Sequence, residues 1–246
     1  MIKKLVKKVA RKLGIELSRF TPQTSDTARI QRILHHYQID LVLDIGANIG
    51  QYSMLLRDLG YQGRIVSFEP LSSAYSTLTV VSSKDPLWKI APRLAIGNVD
   101  RESVQINIAG NSQSSSILPM LNSHLNVAPN SAYTSSEMVP MKRLDTISEY
   151  YIDEDVKSIF LKIDTQGFET QVLEGASAIL AKVEFIQIEL SLIPLYEGEK
   201  LYNDMIALMY HLGYEVYAII PGFTDPLTGR LLQMDGIFKK NESMFA

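Results

Sequence analysis

Four carboxylates stand where strand-like segments give way to turns: Asp44 in VLDIGANIG, Glu69 in VSFEP, Asp164 in LKIDTQG and Glu189 in IQIEL. Ligands of open α/β sheets bind outside the carboxyl ends of the strands, so acidic side chains at those ends can meet a ligand hydroxyl, a cation or a transferable proton. The turn D-I-G-A-N-I-G (44–50) joins a strand to a helix through glycine, which lets a ligand come close to the backbone. A pyrophosphate fingerprint would need glycines at 48 and 51, where Asn48 and Gln51 stand, and the G-x-x-x-x-G-K-[ST] phosphate loop is missing. A nucleoside-like ligand without a pyrophosphate remains. Glu69 follows Gly46 by 23 residues, suits a pair of ribose hydroxyls, and would repel the 2′-phosphate of NADP. S-adenosylmethionine, an adenosine with a cationic amino group and sulfonium, fits that combination.

Asp164 and Glu189 end two strands expected to be neighbours, which brings both carboxylates to the sheet edge that carries Glu69. Two roles stay open for them: a general base and its orienting partner, or two oxygen ligands for Mg²⁺. His124, in a long polar loop, is a further candidate base whose ordinary alternative is a solvated loop histidine. Lys162, two residues before Asp164, shares its face of the strand and reads as a partner for Asp164 or Glu189. Ser114, Ser115 and Ser116 offer hydroxyls to a bound ligand, and Tyr196, Phe223 and Tyr217 offer aromatic surface to a sugar ring; each is equally at home as solvated loop or packing.

The elements that must position these groups alternate along the chain. Ser25 or Asp26 caps a helix with Ile30, Ile33, Leu34 and Tyr37 on its apolar face, and strands are expected at 40–46, 63–70, 90–96, 158–164 and 185–191. Helices are expected from Ile49 to Leu59, near 73–83, near 169–181 and around Leu201–Leu212. Two closing strands, 214–220 and 231–239, suit an antiparallel hairpin at one edge. The segment 110–136 is rich in Ser and Asn, too long for an ordinary connection, and therefore either disordered or functional; SVQINIAG and EMVPMKRL beside it suit a small antiparallel excursion.

With these residues in view, the chain resembles the FkbM-type S-adenosylmethionine-dependent methyltransferases. VLDIGANIGQYS, VSFEP, NSQSSS, LKIDTQGFETQVLEG and IQIEL follow in that order over roughly residues 40–240. The resemblance implies an α/β Rossmann-like methyltransferase fold: a mostly parallel seven-stranded sheet with an antiparallel closing hairpin and helices on both faces. It also implies O-methylation of a hydroxyl on a sugar, a glycan precursor or a related small molecule. Asp44, Gly46, Asn48, Gly50 and Glu69 would hold the cofactor, with Ala47, Pro70 and Ser115 in the expected cofactor set. Asp164, Gly167 and Glu169 would belong to the second signature block. At position 166 the family often has Glu where this chain has Gln166, so no carboxylate role carries over there.

The 246 residues are 46% apolar with a net charge of −3, ordinary for a globular protein, and the absence of Cys removes thiolate metal sites, cysteine nucleophiles and disulfides. Charge is unevenly distributed: the first 20 residues carry +6 and the remainder −9, which disfavours nucleic acid as the partner. Two segments are expected, a basic amphipathic helix in 1–20 and a methyltransferase domain in 21–246. In residues 2–13 the apolar Ile2, Leu5, Val6, Val9 and Leu13 recur at helical spacing opposite lysines and Arg11. This helix suits peripheral contact with an anionic bilayer, or packing on its own domain or on a second subunit of a homo-oligomer. No apolar run resembles a signal sequence or membrane span, which points to a cytoplasmic protein, peripheral at the inner membrane face if the helix binds lipid.

Other classes leave traces to compare. A nucleobase amino-methyltransferase would show an N/D-P-P-Y/F segment where this chain reads I-D-T-Q-G. A non-catalytic cofactor-binding module attached to a glycan assembly would have no use for both Asp164 and Glu189. A nicotinamide oxidoreductase lacks its second and third fingerprint glycines.

Overall fold

The computed structural model describes residues 2–241; Met1, residues 242–246 and the side chains of Ile2, Lys3 and Leu5, which the sequence assigned to the first helix and the chain ends, lie outside the described residues. Helix α1 (Ile2–Lys12) precedes α2 (Asp26–His36), whose N-terminus is capped as expected: Ser25 Oγ accepts the Ala28 N–H at 3.2 Å. There follow β1 (Leu41–Ile45), α3 (Gln51–Asp58), β2 (Arg64–Phe68), α4 (Ser72–Ser82) and β3 (Trp88–Ile90). An inserted sheet is formed by β4 (Ala95–Ile96), β5 (Arg101–Ala109) and β6 (Tyr133–Lys142), with the short α5 (Asn122–Leu125) between β5 and β6. The chain continues through α6 (Leu144–Ile147), β7 (Ile159–Ile163), α7 (Glu169–Gly175), β8 (Val183–Ser191), α8 (Tyr202–His211), β9 (Tyr214–Pro221) and β10 (Gln233–Lys240).

The main sheet has seven strands in the order β3-β2-β1-β7-β8-β10-β9, parallel except where β10 runs against β8 and β9. This is the fold expected from the sequence, closing hairpin included. Alternation along the buried strands separates two cores. Leu41, Leu43 and Ile45 face the layer of α6, α7 and α8, where Leu144, Val172, Leu173, Met205 and Met209 pack. Val42, Ile65, Phe160 and Phe185 face the layer of α2 and α3, packing with Ile30, Ile33, Leu34 and Leu56.

Two expectations need correction. The strand expected at 90–96 is two strands in two sheets: Trp88–Ile90 pairs with β2, and Ala95–Ile96 pairs with β6. Pro92 lies between them, and with no N–H to donate it cannot continue a ladder. The helix expected to reach 181 ends at Gly175, followed by a separate 3₁₀ turn at Ile179–Lys182. The polar segment 110–136 is folded rather than disordered. It closes over the ends of the main strands and is tied down by Asn111, Ser114 and Ser131, with Asn111 Nδ2 donating to both serine hydroxyls at 3.0 Å.

Candidate functional site

A row of polar side chains crosses the main sheet two residues before its carboxyl edge. Ser67, Asp44, Lys162 and Gln187 are in register on β2, β1, β7 and β8, all buried on one face. Parallel strands covered on both faces should read as continuous apolar runs, so this row is an interruption repeated at one level of four strands. In sequence it reads D-I-G, S-F-E, K-I-D and Q-I-E, a polar residue placed two before each strand-ending Gly or acid. Period-two alternation puts each pair on one face, so the row lies beneath Glu69, Asp164 and Glu189.

Above it opens a cavity of about 560 Å³, within the range of small-molecule sites. Its walls come from the β1–α3 turn, the end of β2, the serine loop, the ends of β7 and β8, and β10. Among the described residues lining it are four carboxyl groups, Glu69, Asp164, Glu189 and Asp235, against the single ammonium of Lys162.

The β1–α3 turn is shaped by close approach. Gly46 has φ +80, and a Cβ there would lie 1.9 Å from the carbonyl oxygen of Asp164, so the ends of β1 and β7 can meet only over a glycine. The Gly46 and Ala47 N–H groups donate to Phe68 O, and Asn48, itself at φ 48, donates its N–H to Glu69 Oε2 at 2.7 Å. Glu69 Oε1 takes the Leu71 N–H at 2.8 Å. Glu69 therefore ties two strand ends together while lining the cavity; burial pushes its carboxyl up to about 7, against the pull of those two N–H donors.

Asp44 and Gly50 stand behind the wall and do not line the cavity. Asp44 is fully buried; its Oδ2 accepts from Ser53 Oγ at 2.9 Å, and its Oδ1 lies 3.7 Å from Lys162 Nζ. Gly50 opens α3 against Trp88 and Leu78. Both support the turn that makes the wall. Ala47, Asn48, Pro70 and Ser115 do line it, with Ser115 Oγ also accepting the Ala109 N–H at 3.0 Å.

Asp164 and Glu189 end neighbouring parallel strands, as read from the sequence, and Gln166 joins them. Gln166 Nε2 donates to Asp164 Oδ1 and to Glu189 Oε2, each at 2.8 Å, while its Oε1 accepts the Tyr196 hydroxyl at 2.7 Å. That last bond fixes which end of the amide faces the carboxylates. Lys162 Nζ reaches Asp164 Oδ2 at 3.1 Å and sits over the Tyr52 ring. Burial works to lower the Lys162 pKa, but Asp164 and Asp44 outweigh it and the ammonium is held more tightly than usual.

Gln233 Nε2 donates to Glu189 Oε2 at 2.8 Å, and Asp235 stands opposite Glu189 in the β8–β10 register. Burial, with Asp164 next in weight, pushes Glu189 well above the carboxylate range and Asp235 up to about 6. A Mg²⁺ site does not fit here. The place between the two carboxylates is taken by an amide NH₂ donor, and among the described residues no group of three His, Asp or Glu could hold a metal.

His124 lines the cavity but is not a solvated loop residue: it is buried in α5, its ring centroid 5.4 Å from those of both Tyr196 and Phe223, with Nδ1 unpartnered. Burial lowers its pKa, which keeps the imidazole neutral. Tyr196 is buried beneath the site as a support for Gln166, and Tyr217 packs far off against Tyr37 and Phe185; of the three aromatics only Phe223 reaches the cavity. Glu169 also stays outside the cavity and staples the β7–α7 turn, accepting the Thr165 and Gly167 N–H groups at 3.0 and 3.1 Å. Gln187, Gln233 and Asp235 were missed by sequence reasoning. The signal that could have found them is the polar residue recurring inside otherwise apolar strands.

A family model described as the methyltransferase FkbM domain matches residues 44–216, more than two thirds of the chain, and Gln233 and Asp235 lie beyond it. No curated protein matches. Among solved structures, the chain is similar to methyltransferase FkbM from Methylobacillus flagellatus, with 16% identity over 80% of this chain and 43% of that one, TM-score 0.46. It is also similar to TehB from Haemophilus influenzae, with 12% identity, 87% and 62% coverage and TM-score 0.45. An rRNA methylase from Streptococcus thermophilus shares 10% identity, with 89% and 98% coverage and TM-score 0.44. The chain spans less than half the length of the Methylobacillus protein.

Proposed function

Because the chain belongs to the FkbM methyltransferase family and is thereby an S-adenosylmethionine-dependent methyltransferase, we propose that it methylates a hydroxyl oxygen of a sugar, a glycan precursor or a related small molecule. The observation that carries this reading is the Asp164–Gln166–Glu189 bridge opening on the same cavity as Glu69 and the Gly46–Asn48 turn. The residue types suit the cofactor: a phosphate-free nucleoside carrying an ammonium and a sulfonium meets four carboxyl groups and no phosphate loop. Gly46, Ala47, Asn48, Glu69 and Pro70 would hold it, with Ser115 near by and Asp44 acting from behind the turn. When bound, it supplies an electrophilic methyl group on a sulfonium.

Asp164 is assigned the general base. Its side chain is 37% exposed while its two oxygens are held by Lys162 and Gln166, so it is both accessible to an acceptor hydroxyl and fixed in direction. Glu189 and Asp235, raised by burial, hold protons more readily and serve to orient Gln166 and the acceptor. The amide and hydroxyl side chains of Asn111, Gln113 and Ser114 give the acceptor end a surface suited to sugar hydroxyls, with Phe223 and the neutral His124 at its rim. The −9 charge outside the first 20 residues supports a small-molecule or glycan acceptor over nucleic acid.

The test is Asp164→Asn, with calorimetric binding of S-adenosylhomocysteine and methyl transfer to a panel of sugar acceptors measured in parallel. Affinity is expected to stay within about threefold while turnover falls about a hundredfold or more, the usual loss on removing a general base. Equal loss of binding and turnover would move Asp164 from the base to the cofactor-holding set.

A further inference from the structure

We propose that α1 and the residues that follow it form a docking surface for an anionic lipid bilayer. In the folded chain large apolar side chains of this segment stay exposed, Val6, Val9 and Leu13 at 50, 52 and 72% and Ile15 and Phe20 at 52 and 58%, while the small Ala10 is buried. Packing on the chain's own domain, one of the two alternatives to lipid, is thereby removed for these side chains. Within 20 residues this is a dense cluster of exposed large apolar groups, and isolated exposed hydrophobics would not recur in this way.

Charge identifies the occupant. At 100° per residue Ile2, Leu5, Val6, Val9 and Leu13 fall in a sector of about 100°, and the cations lie outside it. Lys4, Lys7, Lys8, Arg11 and Lys12 are all exposed, and among the described residues of α1 there is no acidic side chain; Arg11 pairs with Glu16, just beyond the helix, at 2.8 Å. An apolar stripe bordered by ammonium groups matches the interface of a bilayer, with acyl chains below and anionic headgroups beside them. The rest of the chain, at −9, is repelled by the same surface, so the molecule would be held by this segment alone with its body standing off. No helix among the described residues is long and apolar enough to cross a membrane, so the contact is with one face of the bilayer.

The experiment is co-sedimentation of the full chain with vesicles of phosphatidylcholine, with and without one third phosphatidylserine, at low and high salt. Binding is expected to the phosphatidylserine vesicles, to fall at least about tenfold on raising salt to about 0.5 M, and to be lost in Lys7→Glu/Lys8→Glu. Val9→Asp, which leaves the cations in place, should weaken binding about tenfold as well. All these variants lie outside the cavity, and unchanged affinity for S-adenosylhomocysteine confirms that they are folded. Absence of sedimentation, or binding indifferent to phosphatidylserine, overturns the proposal. So does a concentration-dependent dimer, seen by light scattering, that Val9→Asp dissociates while vesicles are ignored, because a second copy would then be the occupant.

Discussion

Replacing Gln166 by Glu changes one NH₂ into oxygen at the point where two carboxylates converge. In the native protein Gln166 Nε2 donates to Asp164 Oδ1 and Glu189 Oε2 at 2.8 Å each. A carboxylate oxygen in that position would face two others at the same distance. At an effective dielectric near 20, a charged pair with Asp164 at that distance costs about 6 kcal/mol, or about 4 kcal/mol after relaxing to 4 Å, while Glu189, raised by burial, holds a proton more readily. The cluster would avoid this by keeping a proton, so the introduced carboxyl stays protonated in the folded protein to higher pH than its unfolded value of about 4.3. The folded state then binds more protons than the unfolded chain above that pH, and stability falls as pH rises.

We therefore expect Gln166→Glu to lose about 1 kcal/mol near pH 5, where a protonated carboxyl can still donate, and about 4 kcal/mol near pH 8. For a chain of this size that is a Tm loss of about 3 °C against about 12 °C, read by thermal melts of both proteins at the two pH values. Millimolar Mg²⁺ should recover part of the loss at pH 8 in the variant and change nothing in the native protein, because only the variant presents three oxygens at one point. A Tm loss equal at both pH values would refute the electrostatic account of this site.

Gly46→Ala puts a Cβ into the Asp164 carbonyl at a left-handed backbone position; soluble expression or S-adenosylhomocysteine binding at native levels would contradict the close approach described for these strand ends. The native protein itself should be more resistant to urea near pH 5 than near pH 8. Glu69 and Glu169 at about 7 and Asp235 at about 6 are raised by burial, the folded state holds extra protons from about pH 4.5 to 7, and each of the two glutamates loses about 3 kcal/mol of stability across that window. A urea midpoint that rises with pH over the same range would contradict this.

The fold was legible because its strands obey simple rules: apolar runs of strand length, helical stripes between them, and turn residues at the joints. Pro92 defeated the strand reading at 90–96, since residues on either side of it pair in different sheets and nothing local announces which. At the site, strand-end acids were readable because their position in the chain is their position in space. The behaviour of Asp44 and Glu69 was not, because it depends on groups brought in by tertiary approach: Ser53 on Asp44 Oδ2, with Oδ1 left 3.7 Å from Lys162 Nζ, and the Asn48 and Leu71 amides on the two oxygens of Glu69. His124 was misjudged for a related reason: a polar, Ser-rich segment was expected to be wet, and its own hydroxyl and amide network instead folds it into a wall that buries the ring. Gln166 was read as a missing carboxylate; its role as a bridge depends on Tyr196, thirty residues away.

The order of strands carries a consequence for how the site comes into being. β10 lies between β8 and β9, so β9, made earlier, has no edge to join until β10 has been synthesised and threaded into place. The same strand brings Gln233 and Asp235 to Glu189. A nascent chain can therefore complete the glycine turn, Glu69 and the Gln166 bridge while the β10 side of the cavity is still open, and the cavity is closed there in a single late event of strand insertion.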